Sequence, residues 1–310
     1  MSSTTVGCPR RADVVELVGR RMREVVVPED PALTLLDYVL ASKGKMLRAY
    51  LVFLTSSLWE AAPSAAVLDV AAGVELVHLA SLIHDDIIDE SERRRGLLAV
   101  HRAFGVKEAV LLGDYLFAAA FGLFTHADEE ITAIISAAIR EMSIGEIGQL
   151  LRPGRDFQQY WRYIHRKTAA LLGACCQAGA MLAGQGPVWG PVLRDFGEAL
   201  GLAFQLTDDV LDYRGSSTRL GKTVGEDFAA QAWTLPIILA TSRAVLDDRW
   251  SSLDFSHVQA VLDESGILDE VWQLARECLH RAGTVLAQLP DSEALRHLRA
   301  LLDELAVRQA

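Results

Sequence analysis

Residues 82–96 read LIHDDIIDESERRRG, an apolar run that passes into aspartates and then into arginines. Asp85 and Asp89 are four residues apart, so on a helix their carboxylates project from one face. Carboxylates this close repel each other unless a cation lies between them, and Mg²⁺ prefers carboxylate, water and phosphate oxygens. The arginines that follow suit bidentate contacts with phosphate. The segment therefore predicts a diphosphate bound through Mg²⁺.

The same pattern occurs a second time. Residues 202–212 read LAFQLTDDVLD and repeat the character of residues 79–89, which also end in D-D-x-x-D. A single acidic run is explained by a solvated helix end, whereas two runs with the same spacing are harder to explain in that way. The candidate metal ligands are Asp85, Asp86, Asp89, Asp208, Asp209 and Asp212.

Composition predicts an all-α fold. The chain has 310 residues, of which 51% are hydrophobic, and only 9 prolines. Alanine and leucine supply much of the apolar fraction, which favours helix. The composition of residues 1–10 predicts disorder. No linker is found in the rest of the chain, so residues 11–310 are expected to form a single domain.

Charge and cysteine content narrow the possible partners and the compartment. The formal net charge of -11 argues against a nucleic-acid partner. The four cysteines show no metal-ligand spacing, which suits a reducing cytoplasm. The N-terminus lacks a signal pattern, and we expect no apolar run long enough to form a transmembrane segment.

Coarse elements follow from periodicity and from capping signals. We expect Ser64 to cap a long helix that reaches Asp89, and helices over 106–124, 157–183 and 192–213. Residues 96–105 and 184–191 are expected to be loops. Residues 214–231 are rich in glycine and polar side chains, which is typical of a mobile lid.

Several polar side chains accompany the two acidic runs. Lys45 and Arg48 lie at the start of an apolar helix, where anions bind favourably. His78 lies seven residues before Asp85, on nearly the same helix face. Lys167-Thr168 lies at a polar-to-apolar boundary, and Gln205 lies one turn before the second acidic run.

In combination, order and spacing, these motifs resemble the trans-isoprenyl (polyprenyl) diphosphate synthase family from about residue 44 to residue 236. The resemblance implies an all-α, single-domain helical bundle around a deep central cavity, commonly a homodimer. It also implies a prenyltransferase that joins isopentenyl diphosphate head to tail onto an allylic diphosphate, with Mg²⁺ as cofactor.

The resemblance assigns roles residue by residue. The aspartates would hold Mg²⁺, and Arg94, Lys167 and Lys222 would bind the allylic diphosphate. Isopentenyl diphosphate would be bound by Lys45, Arg48, His78 and Arg95. The catalytic set would be Lys167, Thr168, Gln205 and Lys222. The chain departs from the family pattern at Met46, Ala49 and Gln231, the last of which replaces a lysine that faces diphosphate.

Product length should follow the depth of the cavity. Each helical turn is about 5.4 Å, close to one isoprene unit. Below Asp85, the candidate chain-length positions are Ala80, Ser81 and Val77, and none is aromatic. An open shaft predicts a product of twenty carbons or more, although Phe117, Phe121 and Phe124 could close its floor.

Four other functions remain open. The first is a shorter-chain farnesyl or geranylgeranyl diphosphate synthase, and the second is the catalytic subunit of a two-component synthase. A class I terpene cyclase, or a head-to-head synthase of the squalene/phytoene type, would also ionise a prenyl diphosphate with Mg²⁺. A cyclase typically has a dissimilar second metal motif and lacks the isopentenyl-binding set.

Overall fold

The computed structural model describes residues 8–26, 31–42, 44–59, 63–151, 154–214 and 224–307. These residues are predominantly helical, in agreement with the all-α prediction. The α-helices are α1 (Arg11–Glu24), α2 (Ala32–Ala41), α3 (Leu47–Ser56), α4 (Ala65–Ile88), α5 (Val100–Ala103), α6 (Val106–Phe124), α7 (Glu129–Leu151), α8 (Phe157–Ile164), α9 (Ala170–Leu182), α10 (Gly186–Arg214), α11 (Glu226–Ala229), α12 (Leu235–Ser242), α13 (Phe255–Glu264), α14 (Ile267–Leu286) and α15 (Glu293–Val307). A π-helical turn covers His165–Ala169 and a 3₁₀ turn covers Trp250–Ser252.

The described residues group into two compact units. The first comprises Met1–Ala137, Ala174–Arg194 and Leu289–His297, and the second comprises Ala138–Gly173, Asp195–Gln288 and Leu298–Ala310. Of the segment expected to be disordered, residues 1–7 lie outside the described part of the chain. The single-domain assignment for residues 11–310 stays a prediction.

In the first unit, α4 is the central helix. It packs against α6, α3 and α1, and Val70, Val74 and Val77 along its length are completely buried. The predicted start of the helix is confirmed, because the Ser64 hydroxyl accepts a hydrogen bond from the Val67 backbone N–H at 3.3 Å. This single helix carries the first acidic run at its end, so the core packing of α4 positions that run.

The apolar stretch of helix α4 is longer than expected, because the sequence predicted no apolar run long enough to span a membrane. This helix has 24 residues, and its most apolar 18-residue window has a mean hydropathy of 1.8, which is sufficient for a membrane span by length and composition. Within that window, 72% is buried inside the protein, and the core helix of a soluble protein passes the same test. The absence of a transmembrane segment therefore stays a prediction.

The largest buried side chains of the second unit lie in α10, in the 3₁₀ turn at Trp250 and in α14. α12 packs against α8 and α14, and α13 packs against α14. Trp250 and Trp272 are each 1% exposed, while Tyr213 and Phe196 are completely buried. Because Phe196 and Tyr213 belong to α10, the helix that carries the second acidic run is itself packed into this core.

Three local expectations are corrected by the structure. Residues 96–105 are not only loop, because β1 (Arg93–Arg94) and β2 (Leu97–Leu98) form an antiparallel hairpin that is followed by α5. Its two turn residues, Arg95 and Gly96, both have positive φ (51° and 83°), as a two-residue hairpin turn that follows the strand twist requires.

The other two corrections concern helix continuity. The expected helix over 157–183 is interrupted by the π-helical turn at His165–Ala169. The expected turn over 184–191 is largely helical, because α10 begins at Gly186 and accommodates Pro191 within it. A proline normally ends a helix, since it lacks an N–H group, so sequence alone favoured a later start.

Candidate active site

The first acidic run occupies the last turn of α4. Glu90 adopts left-handed φ (51°), and the Ser91 N–H donates to the Asp86 carbonyl at 2.9 Å, which ends the helix in a Schellman motif. Carboxylates at this end face the negative pole of the helix dipole. Asp85 and Asp89 therefore lie where a cation, rather than another anion, is favoured.

Asp86 differs from the two aspartates on either side of it. It is 3% exposed and accepts a hydrogen bond from Arg94 Nε at 2.9 Å. Asp89, in contrast, is solvent-exposed. The acidic run therefore divides into an inward carboxylate that fixes the hairpin arginine and, on the adjacent face, the pair formed by Asp85 and Asp89.

Three of the residues predicted to bind isopentenyl diphosphate, Arg48, His78 and Arg95, lie close to one another in this unit. Burial lowers the pKa of Arg48 and of Arg95. Burial, followed by the charges of Arg48, Arg95 and Arg94, lowers the pKa of His78 well below its usual value, so the imidazole is neutral at neutral pH. The backbone carbonyl of Lys45 accepts a hydrogen bond from Arg11 Nε at 3.0 Å.

One residue of this cluster was not identified from sequence. Glu75 is 4% exposed, and the charges of both Arg48 and Arg95 act on its carboxylate. The available signal was an acidic side chain in an otherwise apolar part of α4, three residues before His78.

In the second unit, a chain of hydrogen bonds links two of the predicted catalytic residues, Thr168 and Gln205, to Asp209. The Thr168 hydroxyl donates to Gln205 Oε1 at 3.1 Å, and Gln205 Nε2 donates to Asp209 Oδ1 at 3.1 Å. The Tyr160 hydroxyl donates to Asp209 Oδ2 at 2.6 Å, and the Leu235 N–H donates to the same oxygen at 3.3 Å. Tyr160 was not identified from sequence.

This network makes Asp209 the inward member of its run. It is 1% exposed, and burial raises its pKa to about 6 despite the hydrogen bonds that oppose this effect. Asp212 accepts backbone N–H groups from Gly225, Glu226 and Asp227 at 3.0–3.2 Å, so it caps α11. Asp209 and Asp212 are thus held by protein donors on their own unit.

Lys167 lies in the π-helical turn, and its Nζ forms an ion pair with Glu146 Oε1 at 2.6 Å. π-Helical turns are rare and are frequent at functional sites. A π-helical turn contains one residue more than an α-helical turn. The extra residue changes the direction in which Lys167 and Thr168 project relative to α8 and α9. Lys222, the remaining predicted diphosphate ligand, lies outside the described residues.

The donor chemistry at the end of α4 fits a divalent cation that also binds a substrate. Among the described residues, no group of three or more Asp, Glu, His or Cys side chains forms a complete metal site. Mg²⁺ commonly takes only one or two carboxylates, with water and phosphate oxygens completing its octahedron. Asp85 and Asp89 suit such a site, and the six-aspartate assignment stays a prediction.

The predicted chain-length positions are part of the packed face of α4. Ala80 and Val77 are completely buried, and the Ser81 hydroxyl donates to the His78 carbonyl at 2.9 Å. Further down the helix, the fully buried Phe124 ring of α6 lies so close to Gly73 that an added Cβ would overlap it. Aromatic bulk is therefore found beside α4 at Gly73.

Comparisons with known proteins identify the family of this chain. The family model described as polyprenyl synthetase matches residues 30–259. An octaprenyl diphosphate synthase of Haemophilus influenzae is 34% identical, over 83% of this chain and 82% of that protein. A short chain isoprenyl diphosphate synthase of Methanothermobacter thermautotrophicus is 36% identical, over 76% of this chain and 75% of that protein.

A solved structure extends the similarity to almost the whole chain. The polyprenyl synthase of Caulobacter crescentus, complexed with calcium and isoprenyl diphosphate, superposes with a TM-score of 0.87 at 32% identity. The match covers 98% of this chain and 99% of that one. With the family model and the relatives above, it confirms the predicted family and the isoprenoid-synthase fold class. The chain therefore belongs to the polyprenyl synthetase family of trans-isoprenyl diphosphate synthases, and it is a prenyltransferase.

Proposed function

We propose that the protein condenses isopentenyl diphosphate head to tail with an allylic diphosphate, giving a trans-polyprenyl diphosphate of twenty carbons or more. The observation that carries this proposal is the last turn of α4, where Asp85 and Asp89 lie at the negative end of a helix beside the Asp86–Arg94 pair. Such a concentration of acid is favourable only with bound cations, and a diphosphate brings them.

We propose Mg²⁺ as the cofactor, and Asp85, Asp89 and Asp208 are the residues that would hold it. When bound, it supplies charge stabilisation to the diphosphate that leaves the allylic carbon. Supporting evidence is the carboxylate chemistry of both runs and the calcium in the Caulobacter relative's structure. In this arrangement Asp86, Asp209 and Asp212 orient neighbouring groups, because each is engaged by protein donors.

The chain's own residues perform two further tasks. Arg94, Lys167 and Lys222 add positive charge to the leaving diphosphate, and Lys45, Arg48, His78 and Arg95 hold isopentenyl diphosphate. Thr168 and Gln205 lie beside the allylic carbon, where their oxygen dipoles stabilise developing positive charge. The apolar faces of the helices exclude water, which would otherwise trap the cation before the isopentenyl double bond does.

Product length follows from the distance between the reacting end and the aromatic bulk at Gly73. Gly73 lies 12 residues before Asp85 in the sequence, which corresponds to about 18 Å of helix. At about one isoprene unit per turn, this depth accommodates roughly three to four units. With the Phe124 ring beside Gly73, this depth fits products of up to about twenty carbons, and the longer products within the proposal require the Phe124 ring to move.

We also propose that the enzyme acts as a homodimer. On α6, Leu111 is 67% exposed and Val106 is 52% exposed, although the opposite face of this helix packs against α4. Exposed apolar side chains on a packed helix indicate a protein interface, and a second copy of the chain would cover them. Light scattering with Leu111→Arg tests this proposal: a monomeric variant supports it, and an unchanged mass, or a monomeric wild type, contradicts it.

A cytoplasmic location is proposed on the chemistry of the cysteines. All four are free thiols. Burial raises the pKa of Cys175 to about 12 and that of Cys278 to about 11, so these side chains persist as unreactive thiols. Fractionation of cells that express the native chain tests the assignment, and recovery of the enzyme from an oxidising compartment would overturn it.

One experiment separates this function from a terpene cyclase. The purified chain is incubated with Mg²⁺ and a single allylic diphosphate, with and without isopentenyl diphosphate. A synthase leaves the lone allylic substrate unchanged and elongates it when both substrates are present. Consumption of the allylic substrate alone would establish cyclisation instead.

A further inference from the structure

Glu75 is a buried carboxylate to which the predicted substrate contacts give no role. It is 4% exposed and lies between the completely buried Val74 and Leu76 on α4. A charged group in such surroundings is costly unless it is paired and hydrogen-bonded. Burial raises the pKa of Glu75, while the Arg48 guanidinium, nearby backbone N–H groups and Arg95 act in the opposite direction.

The hydrogen bonds of Glu75 tie α4 to the start of α3. Its Oε1 accepts from the Ala49 backbone N–H at 3.0 Å, and the Arg48 backbone N–H is a second partner. Because α3 begins at Leu47, these are first-turn N–H groups that have no partner within the helix. The preceding residue, Met46, makes no side-chain capping bond and adopts left-handed φ (42°). Glu75 therefore supplies the cap of α3 from another helix.

The same carboxylate lies within the basic cluster. Arg48 and Arg95 both act on Glu75, and both also act on His78, one turn further along α4. Within the described part of the chain, the buried Nε of Arg48 is a donor without a hydrogen-bond partner. One carboxylate against two guanidiniums keeps a surplus of positive charge, as binding of a diphosphate requires.

We propose that Glu75 is the positioning residue of the isopentenyl diphosphate site. It fixes the first turn of α3, and through that turn it holds the Arg48 side chain beside Arg95 and His78. This inference rests on the proposed function, because it assumes that the basic cluster binds isopentenyl diphosphate. Since the first acidic run ends α4 more than two turns away, allylic diphosphate binding should not depend on Glu75.

The test is Glu75→Gln, compared with Asp69→Asn on the same helix. Asp69 is a matched control: it is 8% exposed and pairs with Arg21 at 2.6 Å, away from the start of α3. We expect Glu75→Gln to raise the KM for isopentenyl diphosphate about tenfold, as loss of one charge-assisted hydrogen bond would. The KM for the allylic substrate should stay within about twofold, and Asp69→Asn should change neither constant.

Binding and folding measurements complete the design. Calorimetry should show weaker isopentenyl diphosphate binding by Glu75→Gln and unchanged geranyl diphosphate binding. If that variant does not fold, Glu75→Asp retains the charge but withdraws it from α3, and the same KM split is expected. Equal changes for both substrates, no change, or an equal effect of Asp69→Asn would each overturn the proposal. A wild-type chain that fails to use isopentenyl diphosphate would instead overturn the proposed function on which it rests.

Discussion

At the level of single residues, the aspartates of the first acidic run lie at the helix end where the helix dipole repels negative charge. Asp85, Asp86 and Asp89 lie in the last turn of α4, at the negative pole of its dipole. Asp86 accepts a hydrogen bond from Arg94 of the hairpin at 2.9 Å, which offsets part of this repulsion. The repulsion between these carboxylates and the helix dipole lowers the stability of the cation-free protein. The same negative charge raises the affinity of the site for a cation.

The substitution Asp89→Asn tests whether this carboxylate lowers stability while it serves catalysis. We expect the rate of condensation to fall by roughly 100-fold or more, because one metal-facing charge is lost. The free energy of unfolding without Mg²⁺ should rise by about 0.3–1 kcal/mol, because a charge is removed from the negative helix end. Steady-state kinetics and urea unfolding of the same preparations give both values.

The control is the same chemical change at the opposite end of a helix. Asp128 precedes α7 and accepts the Glu130 N–H at 2.9 Å, at the positive pole of that helix. Asp128→Asn should leave activity unchanged and lower stability by up to about 1 kcal/mol. A lower stability for Asp89→Asn would contradict the electrostatic account of the acidic run.

His78 predicts a pH dependence of stability. Its pKa in the folded protein lies well below 6.5, so as the pH falls the unfolded chain takes up a proton that the folded chain does not. The contribution that the neutral His78 makes to the free energy of unfolding is therefore fully present above about pH 7. It decreases as the pH falls through 6.5. Between about pH 7.5 and 5.5, the wild type should lose about 1 kcal/mol more than His78→Gln. Parallel pH profiles of urea unfolding for the two proteins would contradict the prediction.

At the level of elements, close helix packing positions the second acidic run. A Cβ added at Gly201 of α10 would lie 2.6 Å from Ala169 Cα, at the end of the π-helical turn. One at Gly197 would be equally close to the Leu172 backbone. These two glycines let α10 approach the segment that carries Thr168, so that Gln205 can bond to it.

A pair of glycine substitutions tests this packing. Gly201→Ala should destabilise the protein by about 1–3 kcal/mol, because α10 must move although alanine is the better helix former. Gly148→Ala in α7 adds a Cβ that meets no described atom within 4 Å, so it should stabilise by about 0.5–1 kcal/mol. Thermal unfolding of both variants shows whether each is more or less stable than the wild type. Stabilisation by both substitutions would contradict the close packing of α10 at Gly201.

Helices whose apolar periodicity and capping residues are contained in a short stretch of sequence could be predicted from that stretch. Helix α6 was placed at its observed bounds, and the Ser64 cap of α4 is confirmed. The π-helical turn at His165–Ala169 was not, because a single extra residue leaves the apolar pattern of a long helix nearly unchanged. The positions of Glu75 and Tyr160 depend on partners distant in sequence, which no local pattern encodes.

At the level of the whole molecule, product length is the property that most depends on packing around α4. Ala80→Phe should shorten the product, because it places an aromatic ring about one turn below the acidic run. Phe124→Ala should lengthen it, because it removes the ring that lies against Gly73. Chromatographic sizing of the dephosphorylated products measures both effects.

The two substitutions act in opposite directions, so each is a control for the other. A general loss of packing would affect both variants similarly, whereas a depth limit requires opposite shifts relative to wild type. An unchanged product spectrum in both variants would refute the depth argument. Relatives of both lengths, an octaprenyl diphosphate synthase and a short chain isoprenyl diphosphate synthase, match this chain at similar identity, so family membership alone leaves the length open.

The most direct test of the account is incorporation of radiolabelled isopentenyl diphosphate by the purified wild-type chain alone. Short allylic primers are supplied one at a time, with Mg²⁺ or with excess chelator, and the products are sized. We predict elongation to twenty carbons or more that requires both substrates and stops with the chelator. Incorporation that continues without divalent cation, or no incorporation with any primer, would contradict the assignment of the acidic runs to a diphosphate-bound metal.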